Sequence, residues 1–238
     1  MSTQLDPLSL SADLLYTVKT EGDADWLREQ LATLDRSRLD RALSTRERRL
    51  SFWLNCYNAY SQLLMEDESS LLDGGLVDRW KFFARDRIPI GGCWMSLDDI
   101  EHGMLRRSKL RWGFGYLPRP FPSSFERRFR LEGCEPRIHF VLSRGSENCP
   151  PIAVYSAADV DEELDIAVEW FLEENVAYDS DDGVATIPRL FRRYRGDFGG
   201  KRGILEFLCK HDAIPPGATP SLEYETADRT PDLDIKSD

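Results

Sequence analysis

Apolar residues recur along this chain at the spacing of helices far more often than at the alternation of strands. Near the N-terminus Leu14, Leu15 and Val18 share one face of a short amphipathic pattern, and Trp26, Leu27, Leu31 and Leu34 share a face of the next. Ser44-Thr45-Arg46-Glu47 reads as a capping box, and behind it Leu50, Trp53, Leu54, Tyr57 and Leu64 form the stripe of a long helix over 45–66. Ser96, followed by Leu97-Asp98-Asp99, opens another helix to about Arg107, with Ile100, Met104 and Leu105 on one face. Just before it, 87–90 and 93–95 flank Gly91-Gly92 as a small hairpin.

From 112 to 136 Gly, Pro and Arg accumulate without a sustained period, which predicts an irregular excursion over the surface. The alternation over 137–142 then predicts a strand, with Ile138, Phe140 and Leu142 on one face and Arg137, His139 and Val141 on the other. A loop follows over 143–151. Ser156 caps a helix to about Glu174 whose inward residues are Val160, Leu164, Ile166, Ala167, Trp170 and Phe171. Residues 179–183 turn between two short strands, and helices near 189–194 and 203–211 come last. Helices outnumber strands, and the strands are too few for a repeated strand–helix winding. The expected class is α+β: a mostly helical domain around a small sheet, with one globular domain over 1–214 and an acidic, Pro-punctuated tail over 215–238.

Composition narrows the function classes. The chain has 238 residues, of which 41% are hydrophobic, enough for one sizeable core. Its formal net charge of -11 repels a phosphate backbone, so no nucleic-acid partner is expected. No apolar run of membrane-spanning length exists, and Met1-Ser2-Thr3-Gln4 lacks the basic and apolar regions of a signal peptide, so the expectation is no membrane and a cytoplasmic location. The bases are 25 Arg and 6 Lys, and 24 of the 42 acids are Asp, a halophilic composition in which concentrated cations screen an acidic surface. The five cysteines include no C-x-x-C pair and read as thiols, not as a disulfide framework or zinc knuckle.

Three stretches carry more polar residues than packing requires. Asn55 and Asn58 lie three apart and share a face of the otherwise apolar long helix, either tying down neighbouring backbone or lining a site. Glu101 and His102 are adjacent, so they cannot chelate one metal as an i, i+4 pair would, but His102 can act as an acid, a base or an orienting group. The third stretch runs from Arg137 through His139 into a polar loop that ends at Cys149-Pro150-Pro151.

Together, in this order and spacing, these stretches resemble the family called domain of unknown function 547. Its members carry F-W-I-N-x-Y-N-A, then S-L-x-x-I-E-H-x-x-L-R, then D-P-R-I-H-F-A-L followed by C-G-x-x-S-C-P-P, and late in the domain W-Y-x-x-D-F. The counterparts here are 52–59, 96–106, 135–151 and, for the last, Arg193-Tyr194-Arg195-Gly196-Asp197-Phe198, so the resemblance covers about 44–200. Arg144 stands where the family usually has its first cysteine and Asn148 where serine is common, which argues against a role that needs two thiols.

Two functions fit these residues. A thiol-dependent hydrolase or transferase would use Cys149 as nucleophile, His139 or His102 as base, and Glu101 or Asn55 to orient that base. The alternative is a non-catalytic binding or scaffold domain for a small molecule or peptide, with the Asn, Glu, His and Cys residues as a buried structural network. A mononuclear metal site from His102, His139 and Cys149 has only three donors from distant segments. Neither a P-loop nor G-x-G-x-x-G is present, and no cofactor is expected.

Overall fold

The computed structural model describes residues 6–72, 75–144 and 153–225. Pro7 fills the first turn of α1 (Pro7–Lys19), and the Asp6 side chain caps it by accepting from the Leu8 N–H at 3.1 Å. α2 (Asp25–Ala32) and α3 (Arg36–Ala42) follow, the latter capped by Asp35. Leu14, Leu15, Val18, Leu27 and Leu31 are buried as expected, whereas Trp26 is 55% exposed.

The spine of the domain is α4 (Arg46–Leu72), against which α1 makes its most extensive packing. Its cap is Thr45, whose Oγ1 accepts from the Arg48 N–H at 3.3 Å, one residue later than the expected box. The helix also runs beyond the expected 66, with non-helical backbone at Glu68. Phe52, Trp53, Leu54, Cys56, Tyr57, Asn58 and Ala59 are all buried, so the middle of this helix is surrounded by protein on every side.

After α5 (Leu76–Ala84), β1 (Ile88–Ile90) pairs antiparallel with β2 (Cys93–Met95) across Gly91 and Gly92, whose φ values of 58° and 71° suit a hairpin turn that bulkier residues resist. Ser96 and Asp99 cap each other reciprocally, the Asp99 N–H to Ser96 Oγ at 3.0 Å and the Ser96 N–H to Asp99 Oδ2 at 3.1 Å. The expected helix forms there as a wide π-helical turn, Asp99–Leu105, continued by the Arg106 N–H bonding to the carbonyl of Glu101 at 2.9 Å.

Two expectations about the middle of the chain need correction. The excursion contains α6 (Ser124–Phe129), capped by Ser123 and burying Phe125 and Phe129; six residues are too short to show a period. The predicted strand over 137–142 is instead a 3-10 helix, Pro136–Phe140. Pro136 presets the first turn, and the Glu135 carboxylate accepts from the Arg137 N–H at 3.2 Å. Ile138, His139, Phe140, Val141 and Leu142 are all buried, so the alternation marks no exposed face and His139 does not point away from the core.

α7 (Val160–Asn175) buries Val160, Leu164, Val168, Phe171 and Leu172, a face that excludes Ile166 and Trp170, which are 59% and 42% exposed. β3 (Ala177–Asp179) and β4 (Val184–Ile187) pair antiparallel around the expected turn. α8 (Leu190–Arg193) and α9 (Gly200–Lys210) follow. Within the segment read as a tail, β5 (Ser221–Tyr224) adds to β4 in parallel, with Ala185 opposite Leu222. The class is α+β, mostly helical with small sheets, and among the described residues no helix is long and apolar enough to cross a membrane.

Trp53 joins α4 to α6: its side chain is fully buried and Nε1–H donates to the carbonyl of Phe129 at 2.9 Å. Trp53→Ala should lower unfolding free energy by about 3 to 5 kcal/mol in urea titration. A loss under about 1 kcal/mol would mean that the cavity collapses without cost to this contact.

Candidate functional site

The π-helical turn, the 3-10 helix and α8 converge on one buried cluster of charged and aromatic side chains. The wide turn places Glu101 and His102 both inside, 4% and 5% exposed. Glu101 Oε1 accepts from the Tyr194 hydroxyl at 2.9 Å and from Arg144 Nη2 at 3.0 Å. Arg144 in turn donates through Nη1 to the carbonyl of His139 at 3.1 Å.

His139 is stacked on the Tyr194 ring, centroids 3.7 Å apart, and has partners at both ring nitrogens. Nε2 lies 2.8 Å from Asp197 Oδ2 and Nδ1 lies 3.3 Å from Arg144 Nη2. A guanidinium can only donate, so Nδ1 accepts and the ring proton sits on Nε2, directed at Asp197. Asp197 Oδ2 also accepts from Arg106 Nε at 2.6 Å, and Arg106 Nη1 donates to His102 Nδ1 at 2.9 Å. The remaining His102 nitrogen carries its proton 3.5 Å from Asp98 Oδ1.

Neighbouring segments hold this cluster in place. Gly115, at φ 80°, packs so close to Asp197 that a Cβ there would sit 2.6 Å from its backbone nitrogen, and the Gly196 N–H donates to the carbonyl of Phe114 at 2.7 Å. Arg137 ties the 3-10 helix to α7 through Asp165 at 2.9 Å. Asn58 clamps the backbone just before Arg144, its amide donating to Val141 O at 3.1 Å and accepting from the Ser143 N–H at 2.9 Å.

Two carboxylates and two guanidiniums thus neutralise one another with neutral histidines between them. Burial works against the charge on Glu101, yet Arg144 holds its carboxyl well below the usual range. Asp197, against burial, is held at about 2 by the hydrogen bond from His139 and by Arg106. Burial pushes His139 down to about 4 and His102 well below its ordinary value. Asp98 moves the other way: burial raises it to about 6, although Arg111 donates to it at 2.7 Å.

A small cleft of about 30 Å³ opens above the cluster. It is lined by Glu101, His102, Arg144 and Tyr194 of the cluster, by Phe83, Asp98 and Arg111, and by Arg79 and Arg193 from α5 and α8.

The structure therefore brings together His139, His102 and Glu101 of the residues expected from sequence. Asn55 is not among them: its amide donates to the carbonyl of Tyr155 and accepts from its N–H, both at 2.9 Å, which spends the group on backbone. Cys149 lies outside the described residues. Among the other thiols, burial makes Cys56 far less acidic than usual and pushes Cys134 up to about 12, while Cys209 is only partly buried and donates to the carbonyl of Pro215 at 3.4 Å. Arg106, Tyr194 and Asp197 were not singled out as site residues. A carboxylate between Tyr194 and Phe198 was the available signal for Asp197. No three His, Cys, Asp or Glu side chains among the described residues are arranged to hold a metal ion.

Fold and site define a mostly helical α+β domain with a charge-balanced buried centre beside a cleft whose lining includes Arg79, Arg111, Arg144 and Arg193. The family model described as "Protein of unknown function, DUF547" matches residues 41–172, and the chain belongs to this family. The matched residues include Glu101, His102, His139 and Arg144 and stop before Tyr194 and Asp197. No curated protein and no solved structure matches the chain.

The neutral histidines set a pH dependence. An ordinary histidine takes a proton near 6.5, but folded His139 takes one only near 4, so between these values the unfolded chain binds more protons and stability falls as pH falls. Asp98, raised from 3.8 to about 6, binds its proton earlier in the folded state and offsets part of this loss. His139→Gln should flatten the slope of unfolding free energy across pH 4 to 6.5 by up to about 1.4 kcal/mol per pH unit, read from urea unfolding. An unchanged slope would show that His139 already carries its proton in the folded state.

Proposed function

We propose that this domain binds a small molecule or peptide in the cleft, whose lining includes Glu101 and Arg144, with His139 and Asp197 as rigid buried support behind them. The observation that carries this reading is the commitment of both His139 nitrogens, to Asp197 at 2.8 Å and to Arg144 at 3.3 Å, on a side chain with no exposed surface. A general base needs a nitrogen within reach of the proton it takes, and this ring offers one only by displacing Arg144. A satisfied buried network is costly to break and suits a fixed binding surface. The net charge of -11 argues against nucleic acid as the partner, and the Asp- and Arg-rich composition supports a salt-adapted protein.

A second reading, the thiol-dependent hydrolase or transferase, draws on the Asp197–His139 pair, which has the geometry of a carboxylate orienting a base. Cys149 is five residues beyond Arg144, within about 17 Å of it along an extended chain. In that reading Cys149 attacks, His139 takes its proton after Arg144 moves away, and Glu101 and His102 support the site.

Alkylation separates the two. Under the binding reading, iodoacetamide should modify the Cys149 peptide, followed by mass spectrometry, with the profile of an ordinary thiol of pKa about 8.5, unchanged in His139→Gln. Reaction well below that pH, moved upward by His139→Gln, would replace binding with nucleophilic catalysis.

A further inference from the structure

Two apolar patches of opposite charge lie open to water on this domain. The first is at the start of the excursion, where the chain closes a loop over 109–118. The Leu110 N–H donates to the carbonyl of Leu117 at 2.9 Å and the Tyr116 N–H to that of Gly113 at 2.8 Å. On this loop Trp112, Phe114, Tyr116 and Leu117 are all more than half exposed, and Phe121 just beyond it is 96% exposed. Phe114 and Phe121 hold φ at 49° and 52°, a left-handed backbone that only glycine adopts freely, so strain accompanies the display of these two rings. Exposed aromatics side by side, rather than scattered, mark a contact surface.

The charge beside this loop is positive. The Gly196 N–H donates to the carbonyl of Phe114, which brings exposed Arg195 alongside, and the Tyr116 hydroxyl lies 3.4 Å from where a Cβ of Gly200 would stand, next to exposed Lys201. The second patch is on α7, where Ile166 and Trp170, four apart, share the outward face. Exposed Glu162, Glu169 and Glu173 flank them at helical spacing, and α7 has no Lys or Arg. Among the described residues, none of these three glutamates, nor Arg195 or Lys201, is held in an ion pair.

α9 joins the two patches. Its first residue, Gly200, lies under Tyr116, and its last, Lys210, reaches Asp165 of α7 at 3.4 Å. Eleven residues make a rod of about 16 Å, so the patches are held apart at opposite ends of one rigid element. We infer that the domain pairs with a second copy of itself about a two-fold axis across the middle of α9. Such an axis exchanges the ends of the helix and sets the aromatic, basic loop of each copy on the apolar, acidic face of α7 of the other. Both patches are then covered, and opposite charges face each other at each.

The test is sedimentation equilibrium of the full chain at neutral pH and fixed ionic strength. A dimer is expected at micromolar concentration; a monomer at hundreds of micromolar, or an open-ended series of larger species, overturns the proposal. Phe121→Ser and Trp170→Ser should each weaken association by about tenfold or more, whereas Tyr16→Ser, at an exposed aromatic of α1, should leave it unchanged. Loss in only one of the two patch variants, or equal loss with Tyr16→Ser, contradicts the pairing of loop with α7. Charge reversal tests the same pairing without removing apolar surface. Lys201→Glu and Glu169→Lys should each weaken the dimer about tenfold, and an equimolar mixture of the two should recover it, because in the mixed dimer the substituted patches meet each other and so do the native ones. A mixture no tighter than either variant alone overturns the proposal. All four side chains are exposed, and circular dichroism of each variant, unchanged from that of the native chain, confirms that a weaker dimer is not a lost fold.

Discussion

The ion pair between Glu101 and Arg144 is the interaction on which the centre of this domain depends. A carboxylate 4% exposed cannot stay charged unless a counter-ion and hydrogen-bond donors replace the water it has lost. Arg144 and the Tyr194 hydroxyl supply them, and the same guanidinium reaches the carbonyl and Nδ1 of His139. From His139 the chain of contacts continues to Asp197, Arg106 and back to His102, so a change at any one member reaches the others. Burying such a set is only marginally favourable as a whole, and removing one partner strands a charge, at a cost of about 3 to 5 kcal/mol.

That requirement explains several local oddities of the backbone. An ordinary helical turn would rotate Glu101 and His102 about a hundred degrees apart; the wide turn over Asp99–Leu105 brings both inside. Asn58 and Ser61 both bond to the backbone of Ser143, the latter through its hydroxyl to the carbonyl at 2.6 Å, and so fix the point from which Arg144 departs. Gly115 and Gly196 are glycines because backbone passes backbone there, beside Asp197.

Much of this was legible in the sequence where the signal is local. The Gly91-Gly92 hairpin and the turn between β3 and β4 depend on a few adjacent side chains and formed where expected, and the cap of α4 falls one residue beyond the expected one. The alternation of Ile138, Phe140 and Leu142 misled because the residues between them are buried too, and Pro136 was the better guide. β5 pairs in parallel with a strand over thirty residues earlier in the chain, a relation that no local pattern encodes. The site divides in the same way. Glu101, His102 and His139 stood out as polar residues in apolar runs, but their counter-ions come from far along the chain: Arg106 and Asp197 are 91 residues apart. Arg144 was visible only as a departure from the cysteine usual in the family, and the structure gives that departure a purpose as the partner of Glu101.

The central claim, that Glu101 and Arg144 are energetically one unit, is tested most directly by a double-mutant cycle on stability with Glu101→Gln, Arg144→Met and the pair together, each measured by urea unfolding at neutral pH. The account predicts that Arg144→Met alone, which strands the carboxylate, costs about 3 kcal/mol or more, and that the double variant is at least about 1 kcal/mol more stable than the sum of the single losses implies. Single losses that simply add, within about 0.5 kcal/mol, would contradict it.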